Sequence, residues 1–466
     1  MIRTRTAALL FHTLVALTSL PVTATVAASA EPQNAPAETR EVPRSPRLAE
    51  LSRALARHDA HALEAFWAEM AKAGTPLMEP HGADTMLLTF VVRATGVPDE
   101  RTPSIYGQIG ETNGPMPVNA PMSRLENSDV WYRTYEVSDQ ARFAYHVSRP
   151  RGDHDDPAAV GSYPDHGGVV RELYVDPLNP KGYVNGWMRR IDATTWTEDW
   201  PVRGSYAESP HALRDPYSAE RTGVRRGTVA TYDVASKLLG NQRKITVYTP
   251  PGHDGGCAEC DLLLLFDRAA YISAVPTPTI LDNMQADGVL RPIVAVLVGN
   301  TEKPGRGAEL PPNPIFQKFI REELLPWVRA HYQFSNDPHR AVVAGSSFGG
   351  LAATYTGLNN SDVFGNVLSQ SGSYWWWPEW LASGIVLTDQ SGTLIRQYRD
   401  TPKLPLRFYM EVGTWEGNVM LQPNREFRDV LRGKGYDVQY EERVGGHDYV
   451  RWRDSLSEGL KRLIGK

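Results

Sequence analysis

The sequence predicts an α/β chain in two folded parts, an N-terminal β-sandwich and a C-terminal domain built on a mainly parallel sheet. Three observations carry this expectation. Short β-type runs separated by Gly, Pro and Asn clusters fill the stretch from about 76 to 180. From about 223 onward, strand runs alternate with helical patterns. A G-x-S-x-G stretch then falls between one such strand and one such helix. A length of 466 residues accommodates two or three domains, and 41% hydrophobic content excludes wholesale disorder.

The N-terminus reads as an address. Arg3 and Arg5 precede a short apolar run, Ala7–Leu20, and Ala28-Ser29-Ala30 offers small residues for cleavage, so residues 1–30 are expected to be an export signal. The run is shorter than the ~20 residues of a comfortable membrane span, which makes a retained anchor the lesser alternative. The mature chain is expected to carry no membrane span and to be periplasmic or secreted. Residues 31–45, rich in Pro, Ala and Glu, read as a disordered lead-in. Residues 46–180 form the first domain, 181–222 a connector without sustained periodicity, and 223–466 the second domain.

Composition narrows the function classes. With 49 Lys and Arg against 54 Asp and Glu, the net charge of −5 does not advertise a nucleic-acid partner. Two cysteines exclude a disulfide-rich scaffold and a thiolate zinc site. Cys257 and Cys260 precede the apolar run Leu262–Phe266. A redox C-x-x-C would follow a strand and open a helix, so a small disulfide-closed loop is expected in an oxidising compartment.

In chain order, Leu48, Leu51, Leu55, Leu63, Phe66, Trp67 and Met70 recur at helical spacing, and Gly74 ends the pattern. Strands are expected over 86–92, 130–135 and 142–147, with Trp131 and Tyr132 in the sandwich core. In the second half strands are expected over 244–248, 262–266, 293–298, 341–344, 407–412 and 438–442, with helices over 316–331 and 424–431.

The site argument starts at Gly345-Ser346-Ser347-Phe348-Gly349. A serine on a sharp strand-to-helix turn exposes its hydroxyl, and the Phe348 N–H beside it can stabilise an oxyanion. Ser347 needs a base, and α/β-hydrolases place acid and then histidine after the serine, each in a loop following a strand. Gly445-Gly446-His447-Asp448 follows the last strand, which selects His447. Glu416, in the loop after 407–412, is favoured as the acid over Glu411 within that strand; Asp448 is better suited to local contacts. The second oxyanion N–H should come from the loop after 262–266, with Arg268 the choice.

These residues, with others in both halves, resemble the enterochelin (ferric enterobactin) esterase family. In the second half the matches are Leu263-Leu264-Leu265-Phe266-Asp267, Arg306-Gly307-Ala308-Glu309-Leu310, Gly345–Gly350, Ser369-Gln370-Ser371-Gly372-Ser373 and Gly445-Gly446-His447-Asp448. In the first they are Gly74-Thr75-Pro76-Leu77, Asp129-Val130-Trp131-Tyr132 and Asp176-Pro177-Leu178-Asn179-Pro180. The G-x-S-x-G stretch is common to all α/β-hydrolases, whereas the first-half matches and the R-x-x-E-L segment are far more specific. The chain departs from the family at Asp267-Arg268, where Asp-Gly is usual, and in its export signal.

The resemblance implies an esterase-type α/β-hydrolase behind an N-terminal β-domain, and hydrolysis of the trilactone of a catecholate siderophore. It also implies no cofactor, iron entering only inside the substrate chelate. Trp375, Trp376 and Trp415 could stack on catechol rings, and Arg306 or Arg268 could pair with the anionic chelate; alternatively the tryptophans pack beneath a lid. Two other readings keep the sequence features: a feruloyl- or acetyl-type esterase or acyltransferase, and a non-catalytic siderophore-binding protein.

Overall fold

The computed structural model describes residues 43–93, 102–110, 118–152, 158–164, 169–185, 202–302, 304–380 and 390–466. The expected signal and the lead-in up to residue 42 lie outside the described residues.

Two helices, Pro46–Ala56 and Ala62–Ala73, open the described chain. Ser45 caps the first by accepting the Leu48 N–H, with Pro46 fitting the first turn, where no N–H partner is needed. Gly74, at φ 82°, ends the second in a backbone conformation that disfavours a side chain.

The first domain is a sandwich of two antiparallel sheets. One has the strand order Leu77–Pro80, Thr85–Arg93, Val130–Ser138, Ser123–Arg124. The other runs Gly182–Asn185, Val202–Glu208, Arg142–Pro150, Ser104–Gly107, Val118–Pro121, with Val170–Tyr174 also pairing on Arg142–Pro150. Leu88, Phe90 and Val92 from the first sheet meet Ile105, Phe143, Tyr145 and Val147 from the second. On its other face, Val91 packs with Leu48, Leu51, Phe66, Trp67 and Met70 of the helices. The strand Thr85–Arg93 is therefore covered on both faces, which explains why its sequence is a continuous apolar run.

The expected connector over 181–222 is corrected here. Its short segments Gly182–Asn185 and Val202–Glu208 pair with each other, and the second adds to the sandwich through Arg142–Pro150. Four-residue pairing held by backbone hydrogen bonds leaves little side-chain periodicity to read.

The second domain is an eight-stranded sheet in the order Thr228–Ser236, Asn241–Thr249, Ile293–Val298, Asp261–Leu265, Ala341–Ser346, Asn366–Gln370, Arg407–Gly413, Asp437–Arg443. The first two pairings are antiparallel and the remaining five parallel. Separate apolar cores cover its faces: one includes Phe316, Leu351, Ile395 and Phe427, the other Tyr271, Ile280, Trp452 and Leu460. Strands such as Ile293–Val298 are buried along their whole length, as parallel strands between helical layers must be.

The stretch 316–331 is not one regular helix. Pro314–Lys318 and Leu325–His331 are joined by a π-helical turn, Phe319–Leu324. Pro326 lacks the N–H that would continue the ladder there. Cys257 and Cys260 form a disulfide just before Asp261–Leu265.

Candidate active site

The parallel register sets the ends of successive strands side by side, pairing Ser346 with Gln370, Gln370 with Glu411, and Gly413 with Arg443. The segments immediately beyond those ends carry Ser347, Ser371, Glu416 and His447. Residues distant in sequence thus meet at one edge of the sheet.

Ser347 joins the strand Ala341–Ser346 to the helix Phe348–Asn359 at φ 58°, ψ −122°, strained for a residue with a side chain. The turn closes so tightly that a Cβ on Gly345 would lie 2.6 Å from the Gly349 carbonyl carbon, and one on Gly349 would lie 2.9 Å from Asp267 Oδ2. Ser347 Oγ has Ser373 Oγ at 3.4 Å, and no hydrogen bond joins it to His447. Such contacts commonly tighten only when substrate engages.

Of the two candidate carboxylates, Glu416 touches the histidine: its Oε2 lies 2.6 Å from His447 Nδ1. Its other oxygen accepts from Ser371 Oγ at 2.6 Å, Gly413 N–H at 2.8 Å and Arg451 Nη2 at 2.9 Å. Burial pushes this carboxyl upward, but His447, Arg451 and the Ser371 hydroxyl outweigh it and hold it below its ordinary value. With Nδ1 facing a carboxylate, Nε2 is the nitrogen left to act as a base.

Glu411 is occupied elsewhere, accepting from Arg451 Nη1 at 3.0 Å and facing Arg443 Nε at 3.3 Å. Burial raises its carboxyl despite both arginines. Asp448 caps the helix Tyr449–Ile464 through the N–H groups of Val450 and Arg451.

Phe348 opens its helix, so its N–H has no acceptor within that helix. Arg268 opens the short helix Arg268–Ser273, directly after Asp267 at φ 57°. The Arg268 side chain is buried and donates through Nε to Thr246 Oγ1 at 2.7 Å.

Two further expectations are corrected. Arg306 is no uncommitted cation: its guanidinium grips Asp267 at 2.6 and 2.7 Å and reaches the Ser346 carbonyl at 3.2 Å. It ties Asp267, just beyond the strand Asp261–Leu265, to the end of the nucleophile strand. Nor do Trp375, Trp376 and Trp415 present exposed stacking faces; all three are buried. Trp375 donates to Met420 Sδ at 3.1 Å and packs with Phe348 and Trp380. Trp415 inserts into the sandwich core, its ring 5.4 Å from that of Phe143. So much apolar area is more stable covered by the protein than by water.

Sequence reasoning missed Arg451, Ser371 and Gln108. Arg451 gathers Glu411, Glu416, Ser371 Oγ and the Gly446 carbonyl around one guanidinium. Ser371 lies in a quoted motif, but nothing in the sequence joins it to Glu416. Gln108 belongs to the other domain. Among the described residues no group of three or more His, Cys, Asp or Glu could hold a metal ion, and no helix is long and apolar enough to cross a membrane.

Comparison with known proteins matches residues 87–216 to the family described as "Enterochelin esterase, N-terminal" and residues 236–463 to the Esterase family. The iron(III) enterobactin esterase of Escherichia coli K12 is 34% identical over 348 residues, covering 73% of this chain and 80% of that protein. The iron(III) enterobactin esterase of Dickeya dadantii is 28% identical over 421 residues, covering 86% and 93%. Among solved structures, the ferric enterobactin esterase of Salmonella typhimurium superposes with a TM-score of 0.67 at 27% identity, over 86% of this chain and 98% of that one. The Shigella flexneri enterobactin esterase solved in the presence of enterobactin gives 0.65 at 27% identity, over 84% and 95%.

Proposed function

The chain belongs to the enterochelin esterase family and is a carboxylic-ester hydrolase; from that premise we propose that it cleaves the trilactone backbone of a catecholate siderophore such as enterobactin, releasing iron from the chelate. The observation that carries the proposal is the 2.6 Å contact between Glu416 and His447 Nδ1, in the same row of loops as the strained Ser347.

In this scheme His447 Nε2 takes the proton from Ser347 Oγ as the oxygen attacks a lactone carbonyl. Glu416 fixes the imidazole tautomer and stabilises the imidazolium that forms. The N–H groups of Phe348 and Arg268 hold the tetrahedral oxyanion. Collapse expels the lactone alcohol, which takes its proton from His447. Water activated by the same imidazole then hydrolyses the acyl-enzyme and frees Ser347. The scheme calls on no cofactor, and iron enters only as substrate cargo. The reading of residues 1–30 as an export signal extends the proposal to a periplasmic or secreted enzyme, tested by fractionation and N-terminal sequencing of the mature chain.

The central test is mass spectrometry of products from ferric and iron-free triscatecholate lactones. The wild-type chain should open the ring by adding one water per ester cut, while Ser347→Ala binds the chelate and leaves it intact. Hydrolysis by that variant at the wild-type rate, or wild-type turnover of aryl or sugar esters alone, would overturn the proposal.

A further inference from the structure

Gln108 lies in the sandwich, just after the strand Ser104–Gly107, yet its buried amide faces the loops of the second domain. Its Oε1 accepts the His447 backbone N–H, and its Nε2 donates to the Trp415 carbonyl at 3.0 Å. One side chain therefore joins the histidine to the residue directly before the acid, across 339 and 307 positions of sequence.

The surroundings fit it closely. A Cβ on Gly446 would lie 2.5 Å from Gln108 Oε1 and 2.9 Å from its Cβ, so the glycine before His447 makes room for the amide. The Ala144 N–H of the sandwich also reaches Asp448 Oδ2 at 3.4 Å, and the Trp415 ring is already part of the sandwich core. Only a side chain with an acceptor and a donor at one tip can serve both backbone groups. Asn is too short by one carbon, and Glu lacks the donor when ionised.

We propose that Gln108 is a positioning residue through which the N-terminal domain sets the spacing between His447 and Glu416. This rests on the reading of Ser347, His447 and Glu416 as the catalytic triad. A misplacement of about 1 Å at such a site can cost roughly 100-fold in rate, whereas a residue that merely joined two domains would change stability and leave turnover alone.

The test compares wild type, Gln108→Ala and the isosteric Gln108→Glu as full chains. The readouts are kcat and KM on a triscatecholate lactone, the rate of Ser347 labelling by a fluorophosphonate, and melting temperature. Gln108→Ala should lose roughly 30- to 100-fold in kcat and in labelling rate, with KM within about 2-fold of wild type. Gln108→Glu, which keeps the acceptor for His447 and loses the donor to Trp415, should fall between the two; it carries the comparison alone should the alanine variant not fold.

Wild-type kcat in a folded variant overturns the inference, even with a lowered melting temperature. A rise in KM at unchanged kcat also overturns it, marking Gln108 as a substrate contact. Failure of the wild-type chain to label at Ser347 would instead sink the triad reading.

Discussion

Arg451 Nη2 lies 2.9 Å from Glu416 Oε1, while Nη1 of the same guanidinium holds Glu411 Oε1 at 3.0 Å. One buried guanidinium thus reaches two buried carboxylates, Glu416, which also faces His447, and Glu411, which also faces Arg443. Removing one partner of a buried ion pair costs about 3–5 kcal/mol because the other charge is left uncompensated. Arg451→Met should show a loss of that size in urea denaturation. Arg451→Lys, which keeps the charge and loses the planar fork, should lose less. A methionine variant as stable as wild type would show that this charge balance is not needed.

The acid itself gives a stability signature with a defined sign. Burial raises Glu416, but its partners hold the folded-state carboxyl below its ordinary value. Such a group adds stability that is complete above the unfolded pKa of about 4.3 and is lost as pH falls through the folded value. The difference in unfolding free energy between wild type and Glu416→Gln should shrink as pH falls below about 4.3. A gap that widened toward low pH would contradict the sign.

Trp415 joins the two domains by packing, and its removal should be felt in both. Trp415→Ala should cost about 3–5 kcal/mol in chemical denaturation, the usual range for an emptied large aromatic site. It should also lower kcat at least ~10-fold, because the next residue is Glu416. Trp415→Phe should recover most of both quantities. An alanine variant with normal turnover would show that the acid loop keeps its shape without this anchor.

Arg306 should act on catalysis more than on affinity. Arg306→Met breaks the tie between Asp267 and the Ser346 carbonyl, loosening the two strand ends that carry the proposed oxyanion donors. Losing one such donor commonly costs 100- to 1,000-fold in kcat, so a partial misplacement should cost roughly 10- to 100-fold. Chelate binding, measured by fluorescence titration in the Ser347→Ala background, should change less than about 2-fold. A large affinity loss there would restore Arg306 as a direct substrate contact.

What the sequence revealed follows from how local each signal is. The elbow at Ser347 and the glycines before His447 are contiguous motifs, so their chemistry could be read directly. Glu416 was legible as the favoured of two carboxylates from its place in a loop after a strand, but the contact that decides between them spans 31 positions. Gln108 and Arg451 act on partners that no spacing rule links to them. The aromatic cluster misled for the opposite reason. Tryptophan composition fits a ligand platform and a packed core equally well, and only burial distinguishes them. The edge strand Thr228–Ser236 escaped notice because much of it is exposed and lacks a clear apolar run.

The insertion of Trp415 into the sandwich bears on whether the two halves of this chain can be exchanged. A hydrolase lifted away from its β-domain would expose an indole beside its own acid, and the abandoned sandwich would keep a hole shaped for it. Neither half is a cassette. A chimaera that takes its sandwich from a relative should inherit esterase activity only when the donor also supplies a pocket for the tryptophan and an amide in the place of Gln108.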